Sequence, residues 1–445
     1  MSLPAYNLYR ESGIDWVDRV PQHWQIASLK WLSTRYSGGT PDKNRLDYWE
    51  DGTIPWLNSG AVNSPIIEEP SAYITEEAFA NSSAKWVPQN ALVMALAGQG
   101  KTKGMVAQVS FPTTCNQSMA ALIPNERLAA RYLYWWLVSN YQNIRNMAGG
   151  DLRDGLNLEL LGSISCPLPS PEEQGTIAAF LDRETSKIDT LIAEQEKLLE
   201  LLAEKRQATI SRAVTRGLNP DVPMKDSGVE WLGEVPIHWG IGALGYLCSI
   251  ETGATPDRGE PRFWNGSIPW LKTGEINWAP ISESEEFISE EGLANSATKL
   301  AKPGTLLMAM YGQGVTRGRV ALLEIEAAYN QACAAMSFGP RVLPSFARYF
   351  FMAAYDHVRD SGNETSQMNL SVGLIAKFKM TIPPTKEQAG IVSWLDSEVV
   401  KLDSLDVEAK CAIALLKERR SALISAAVTG KIDVRERSSA MAAAA

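Results

Sequence analysis

Histidine, cysteine and net positive charge are all scarce in this chain. Three histidines (His23, His238 and His357) are too few and too scattered for a histidine-rich metal site. Five cysteines (Cys115, Cys166, Cys248, Cys333 and Cys411) lie far apart with no Cys-x-x-Cys pair. An odd count without a signal-peptide pattern points to reduced thiols and a cytoplasmic protein. No apolar run approaches the ~18 residues of a membrane span, so no membrane partner is expected. The formal charge is 42 − 51 = −9, which excludes coating nucleic acid by bulk attraction but leaves local basic patches open. With 45% hydrophobic and 21% charged residues, the 445-residue chain is neither disordered nor fibrous. Its length suffices for two to four domains. Against these shortages stand 14 tryptophans beside 10 phenylalanines.

The tryptophans reveal a repeat. Residues 12–24 read SGIDWVDRVPQHW and residues 227–239 read SGVEWLGEVPIHW, an offset of 227 − 12 = 215. Further matches follow in order. Thr40-Pro41 matches Thr255-Pro256, Ile54-Pro55-Trp56-Leu57 matches Ile268-Pro269-Trp270-Leu271, and Gly98-Gln99-Gly100 matches Gly312-Gln313-Gly314. Leu181-Asp182 matches Leu395-Asp396, and Val214-Thr215 matches Val428-Thr429. Collinear matches of this number define two copies of a unit of about 214 residues, and 2 × 214 = 428 covers nearly the whole chain. The period is too long for a solenoid or propeller repeat.

Each copy divides again. The fold class expected is α+β: a mixed α/β domain followed by a long helix, the pair duplicated in tandem. The globular parts span 1–165 and 221–385, and the helical parts 166–220 and 386–432. Residues 433–445, ending in AMAAAA, read as a disordered tail. Short apolar runs bounded by glycine, such as Ala91–Leu96 and Val320–Leu323, predict strands. Helices are predicted near Arg131–Val138 and Phe346–Ala354. From Glu172 to Arg216 a helical phase places Leu181, Ile188, Ile192, Leu199 and Leu202 on one seam. The same phase in the second copy places Leu395, Leu402, Ile413, Leu416 and Leu423. Two seams in identical phase predict that the helices pack on each other, with Arg206 and Arg420 at one seam position to fix register or face a partner.

Enzyme chemistry is not found. ALAGQGKT at 95–102 fits a loose P-loop with Lys101 on phosphates and Thr102 on magnesium, but the following residues read as turn and strand. The second copy carries Val315 in place of Lys101. No Asn/Asp-Pro-Pro-Tyr/Phe of an amino-methyltransferase stands in the chain, and no clustered carboxylates suggest a nuclease. The histidines of the two Pro-x-His-Trp motifs read as packing residues held by a hydrogen bond.

What repeats is chemistry suited to DNA. Lys101-Thr102-Lys103, beside Gln99, corresponds to Thr316, Arg317 and Arg319, beside Gln313. Thr40, Lys43, Asn44 and Arg45 correspond to Thr255, Arg258 and the nearby Arg262. Asn58 and Ser59 correspond to Lys272 and Thr273. Glycines let backbone approach a phosphate, while basic and amide side chains neutralise it or read base edges. The scaffold repeats while the loop side chains differ, so two related readers should read two different sequences. A coiled-coil adaptor that binds no DNA, and a P-loop NTPase built on Lys101, are the other readings; the differing basic loops favour a DNA reader over both.

SGVEWLGEVPIHW opening a unit, Thr-Pro…Ile-Pro-Trp-Leu, the Gly-Gln-Gly-x-Thr loop and PLPSPEEQGTIAAFLDRETSKIDTLIAEQEKLLELLAEKRQATISRAVTRGL closing it resemble specificity subunits of type I restriction-modification systems, over residues 6–432. The resemblance implies two target recognition domains, each reading one half of a bipartite site in double-stranded DNA. It implies an antiparallel coiled coil that sets the spacer between the halves. It also implies two modification (methyltransferase) subunits as partners, with restriction/translocase subunits added for cleavage. S-adenosylmethionine, ATP and magnesium would belong to those partners, and the chain itself would have neither active site nor cofactor.

Overall fold

The computed structural model of this chain describes residues 4–98, 100–147, 155–312, 315–360 and 369–435. The chain forms two compact units, one of Met1–Gln195 with Ala412–Ala445 and one of Glu196–Cys411. The expected positions Gln99 and Gln313, and residues 436–445 of the expected tail, lie outside the described residues.

In the first unit the central sheet runs Ser33–Ser37, Met119–Pro124, Leu92–Ala95, Val106–Val109, Ile66–Ile67. The last pair is parallel and the others antiparallel. Leu92-Val93-Met94-Ala95 has no polar side because both faces of the sheet are covered. Leu92 and Met94 enter one apolar cluster with the helix Ala130–Ser139, while Val93 and Ala95 enter another with Val62 and Met119. Side chains that alternate across a strand make one continuous apolar run serve two cores. The second unit repeats the device. Leu306 and Met308 face the helix Pro344–Ala353, and Leu307 and Ala309 face Ile276 and Tyr329. A smaller sheet accompanies each: Thr114–Cys115, Ile54–Leu57, Ala72–Ile74 in the first, and Glu286–Ile288, Trp264–Leu271, Ala327–Tyr329, Leu300–Ala301 in the second.

The Glu-Gln of each helix-opening motif ties the globular part to a long helix. Gln174 Oε1 accepts the Ala129 N–H at 2.7 Å and its Nε2 donates to the Pro169 and Arg127 carbonyls. Gln388 does the same with Leu343, Pro383 and Arg341. Each glutamine thus satisfies the N–H of the residue that caps the neighbouring helix, a donor with no intrahelical partner. Buried Glu173 accepts from Tyr6 Oη at 2.6 Å and Trp24 Nε1 at 3.1 Å, with His23 Nε2 at 3.1 Å. Glu387 meets His238 Nε2 at 2.9 Å. The Pro-x-His-Trp motifs are therefore docking points for the helix start; the hydrogen bonds expected of their histidines are present, but both imidazoles are half-exposed rather than packed.

The long helices span Pro171–Arg216 and Thr385–Val428. The first ends at Gly217, whose φ of +75° suits glycine. Each unit holds a segment of both helices. In the first unit Ile177 and Leu181 share a core with Ile424, Ala427 and Val428, and Arg420 Nε lies 2.7 Å from Asp189. In the second, Ile210 and Val214 share a core with Ile391 and Leu395, and Arg206 Nη1 lies 2.6 Å from Asp403. The two pairs are repeats of each other, since 420 − 206 = 214 and 403 − 189 = 214. Both seam arginines thus bond an aspartate of the other long helix. Being half-exposed, such a pair contributes at most about 1 kcal/mol. Along the predicted seams Leu181, Ile188, Ile192, Leu202, Leu395 and Leu402 are buried, whereas Leu199, Ile413, Leu416 and Leu423 are half-buried.

Residues 433–435, which the sequence assigned to the tail, are held in the first unit. The Asp433 N–H donates to the Pro4 carbonyl at 2.7 Å and Val434 is buried in the core. Valine at that position fills apolar space that the Ala-rich remainder could not.

Candidate nucleic-acid interface

Two tryptophans per unit build the ground on which the polar loops stand. Trp56 and Trp49 meet edge to face with ring centroids 5.0 Å apart, and Trp270 and Trp264 meet at 5.1 Å. Their indole N–H groups donate into the Thr-Pro loop, from Trp56 to the Gly39 carbonyl and Trp49 to that of Asp42. In the second unit Trp270 donates to Ala254 and Trp264 to Asp257. Burying a ring while its N–H holds a loop carbonyl fixes the loop at low entropic cost. These rings anchor the loops. Thr40 and Thr255 close the loop bases by donating to Gln117 and, at 2.6 Å, to Gln331. Their hydroxyls are committed to the scaffold.

The Gly-Gln-Gly-x-Thr loops join Leu92–Ala95 to Val106–Val109 and Leu306–Ala309 to Val320–Leu322. A strand, not a helix, follows each loop, so no helix N-terminus is offered to a nucleotide phosphate and the P-loop reading of Lys101 and Thr102 fails. Gly104 and Gly318 both take φ of +85°, and their N–H groups donate to Ala95 and Ala309 at 2.8 Å. The loop tips are pinned alike, Tyr141 to the Lys101 carbonyl and Tyr355 to that of Val315. Matched positions of the two loops carry Lys101 in one unit and Val315 in the other, both exposed. Thr102 and Thr316 are half-buried beneath. Lys103, expected at DNA, is buried inside the unit, and Arg317 and Arg319 are half-buried. The turn at Gly104 or Gly318 directs this position inward, which alternation in sequence did not reveal.

The remaining basic positions divide sharply. Lys43 and Lys101 are exposed and carry no ion pair among the described residues. Arg45 lies over Tyr48, its guanidinium 4.0 Å from the ring centroid, and pairs with Asp47 and Glu77. Arg258 lies 3.9 Å from the Trp264 centroid and 2.8 Å from Glu286. Arg262 pairs with Glu260 and Glu291. Lys272 reaches Glu286 at 2.8 Å and Glu285 at 3.3 Å. Hydrogen bonding to Lys272 holds the Glu286 carboxyl below its ordinary range, and the reciprocal bond raises Lys272. Asn44 folds onto Asp42, and Asn58 caps its own turn by accepting the Gly60 N–H at 2.8 Å. Ser59 and Thr273 open the short turns that follow Ile54–Leu57 and Trp264–Leu271. The acidic partners were missed in the sequence because Glu77, Glu286 and Glu291 stand 14 to 32 residues from the cations they meet.

Four of the five cysteines are buried. Burial pushes the Cys115, Cys248 and Cys333 thiols up to about 12, and raises Cys166 as well. Thiols so shifted are not thiolate nucleophiles. Among the described residues no group of three or more His, Cys, Asp or Glu side chains is placed to hold a metal. No described helix is long and apolar enough to cross a membrane.

The two units share one α/β scaffold built by duplication, each carrying a differently charged loop surface. The chain belongs to the family of type I restriction modification DNA specificity domains, whose model matches residues 21–201 and again 236–403. The two matches begin 236 − 21 = 215 residues apart, the offset of the repeat. Among curated relatives, the chain is similar to the type I restriction enzyme MjaIX specificity subunit of Methanocaldococcus jannaschii. It is 24% identical over 431 residues, covering 94% of this chain and 96% of that one. The EcoR124I/EcoR124II specificity subunit of Escherichia coli is 32% identical over 196 residues, 43% of this chain and 46% of its own. Among solved structures, the fold matches a chain from a study of complex assembly and conformational transition of the type I R-M system. There the TM-score is 0.74 at 16% identity, over 93% of this chain and 99% of that one. The HsdS subunit from Thermoanaerobacter tengcongensis matches with a TM-score of 0.57 at 16% identity, over 93% and 98%.

Proposed function

We propose that this chain is a non-catalytic, cytoplasmic DNA-specificity subunit. Each unit reads one half of an asymmetric bipartite site, and the two long helices act together as an antiparallel coiled coil that sets the unread spacer. The helices also dock two modification subunits, which bring S-adenosylmethionine and methylate adenine, and restriction subunits join that core. One observation carries the reading: a single backbone scaffold, built twice, presents different side chains at matched tips. Lys101 stands against Val315, and Asn58 against Lys272. Major-groove base pairs differ in donor and acceptor pattern, so different side chains on one scaffold read different bases. Exposed Leu191, Leu198, Leu201, Leu405 and Leu415 on the outer faces of the long helices support the docking of partner helices. Mapping methylated adenines in cells that carry this chain with its modification subunits tests the reading directly. A single bipartite motif with two unlike halves is expected, and a palindromic or continuous motif would refute it.

Lys101→Ala tests the exposed cation. Loss of one phosphate contact lowers the slope of log affinity against log salt by about 0.9 in a titration of the assembled complex. Discrimination between sites stays intact, because a phosphate contact carries no base information. An unchanged slope removes Lys101 from the interface. Inserting one heptad into each long helix lengthens both by about 10 Å, at 1.5 Å per residue. The mapped motif then gains about three unread base pairs at 3.4 Å each. An unchanged spacer defeats the ruler.

A further inference from the structure

The second unit holds a carboxylate where the first holds none. In the small sheets Trp56 faces Ala72, and Trp270 faces Glu286 in the same register, 286 − 72 = 214 residues on. Glu286 bridges two loops: its Oε2 meets Arg258 of the Thr-Pro loop at 2.8 Å and its Oε1 meets Lys272 at 2.8 Å. The backbone beneath is braced by Glu275, which accepts the N–H groups of Lys272 at 2.9 Å and Glu285 at 3.1 Å. The Arg258 guanidinium lies 3.9 Å from the Trp264 ring centroid and 5.1 Å from that of Trp270. The matching first-unit position, Lys43, is exposed with no ion pair among the described residues. The globular segments differ in the same sense, 13 − 15 = −2 for residues 1–165 and 13 − 18 = −5 for residues 221–385.

We infer that Glu286 is a specificity-determining residue of the second unit, clamping Arg258 and Lys272 so that they engage only base edges able to replace it. The inference rests on the two-reader function proposed above. A phosphate brings negative charge toward Glu286 and meets cations already neutralised, so contact with arbitrary sequence gains little. A base edge is different. A guanine offers two acceptors to the planar guanidinium, and a neighbouring amino group of cytosine or adenine offers a donor to the carboxylate. Of the groups that DNA offers, only such an edge returns a partner to each of the three side chains when the clamp opens. The first unit, with Lys43 and Lys101 open, can add phosphate contacts to the reading of its own half, whereas in the second unit the clamp leaves base edges as the contacts that gain.

The test uses the full chain assembled with its modification subunits and three duplexes: the mapped site, and that site with either half scrambled. Binding is followed by fluorescence anisotropy across a salt series. Glu286→Gln is expected to raise affinity for the duplex scrambled in the second half by about tenfold, as one or two freed cations reach phosphates. The salt slope steepens, and preference for the intact second half falls by a similar factor. Discrimination at the first half is unchanged, which also reports that the variant is folded. Ala72→Glu, the reverse exchange, should lower affinity for nonspecific duplex by placing a carboxylate near the first unit's loops. Glu286→Gln with unchanged second-half discrimination and unchanged salt slope overturns the inference. A wild-type complex indifferent to both scrambled halves would instead refute the two-reader function itself.

Discussion

Replacing residues 1–165 with the matching segment of a relative that has another target changes one half of the methylated motif and leaves the other half and the spacer as they were. The expectation follows from how the units are built. Loops carrying Lys43, Arg45, Asn58 and Lys101 all belong to the first unit, and none of their described partners lies outside it. The graft must respect one constraint invisible in a linear domain map. The first unit also contains the end of the second long helix and the residues just after it: Ile424, Ala427 and Val428, with Val434 beyond the helix, share its core with Trp24 and Tyr132. A β-carbon on Gly430 would stand 2.4 Å from Pro21, so that approach tolerates no larger residue. Grafts keeping Pro21, Trp24 and Tyr132 should fold, and the effect on the affected half-site is a complete change of sequence. Each mismatched base pair costs about 1–3 kcal/mol, so a half-site of several pairs is exchanged outright rather than weakened. Methylation mapping that shows both halves altered, or neither, rejects the assignment of one reader to each unit.

Gly253→Ala is expected to destabilise the second unit by about 3 kcal/mol or more and to abolish recognition of its half-site. An added β-carbon would lie 1.8 Å from the Tyr329 carbonyl oxygen, at the end of the strand Ala327–Tyr329. The same carbonyl accepts the Ala254 N–H at 3.1 Å and thereby holds the base of the Thr-Pro loop. Strand and loop must separate to admit the methyl group, and overpacking of this kind costs several kcal/mol when backbone rather than a flexible side chain is in the way. In a unit of this size the melting temperature falls about 2–4 °C per kcal/mol, so calorimetry should record a drop of roughly 6–12 °C. Gly38, whose β-carbon would lie 1.8 Å from the Cys115 carbonyl oxygen, predicts the same injury to the first unit. Gly274→Ala is the control: nothing lies within 4 Å of its would-be β-carbon. If Gly253→Ala melts like Gly274→Ala, the close approach is not what holds the loop.

Much of this molecule is legible in one dimension. The repeat announces itself through Trp and Pro at matched spacing, and the helix Pro171–Arg216 agrees with its predicted start and end to within a residue. The strand Leu92–Ala95 is readable because a short apolar run between Asn90 and Gly98 has few other fates. The candidate interface was legible only as residue types. Gln99 and Gln313 lie outside the described residues, so their part is untested by geometry. Lys103 was misjudged because a glycine at φ +85° reverses the loop beside it.

The sequence alone determined the duplication, the phase of the two helices and the differing chemistry of the matched loops. Each of these is written in local periodicity or in self-comparison along one chain. Tertiary structure decided which cations stand open and which are clamped, and which stretch of each long helix belongs with which unit. The physical reason is distance along the chain. Glu286 meets Arg258 28 residues away and Asp189 meets Arg420 231 residues away, and neither pairing follows from the spacing of either partner.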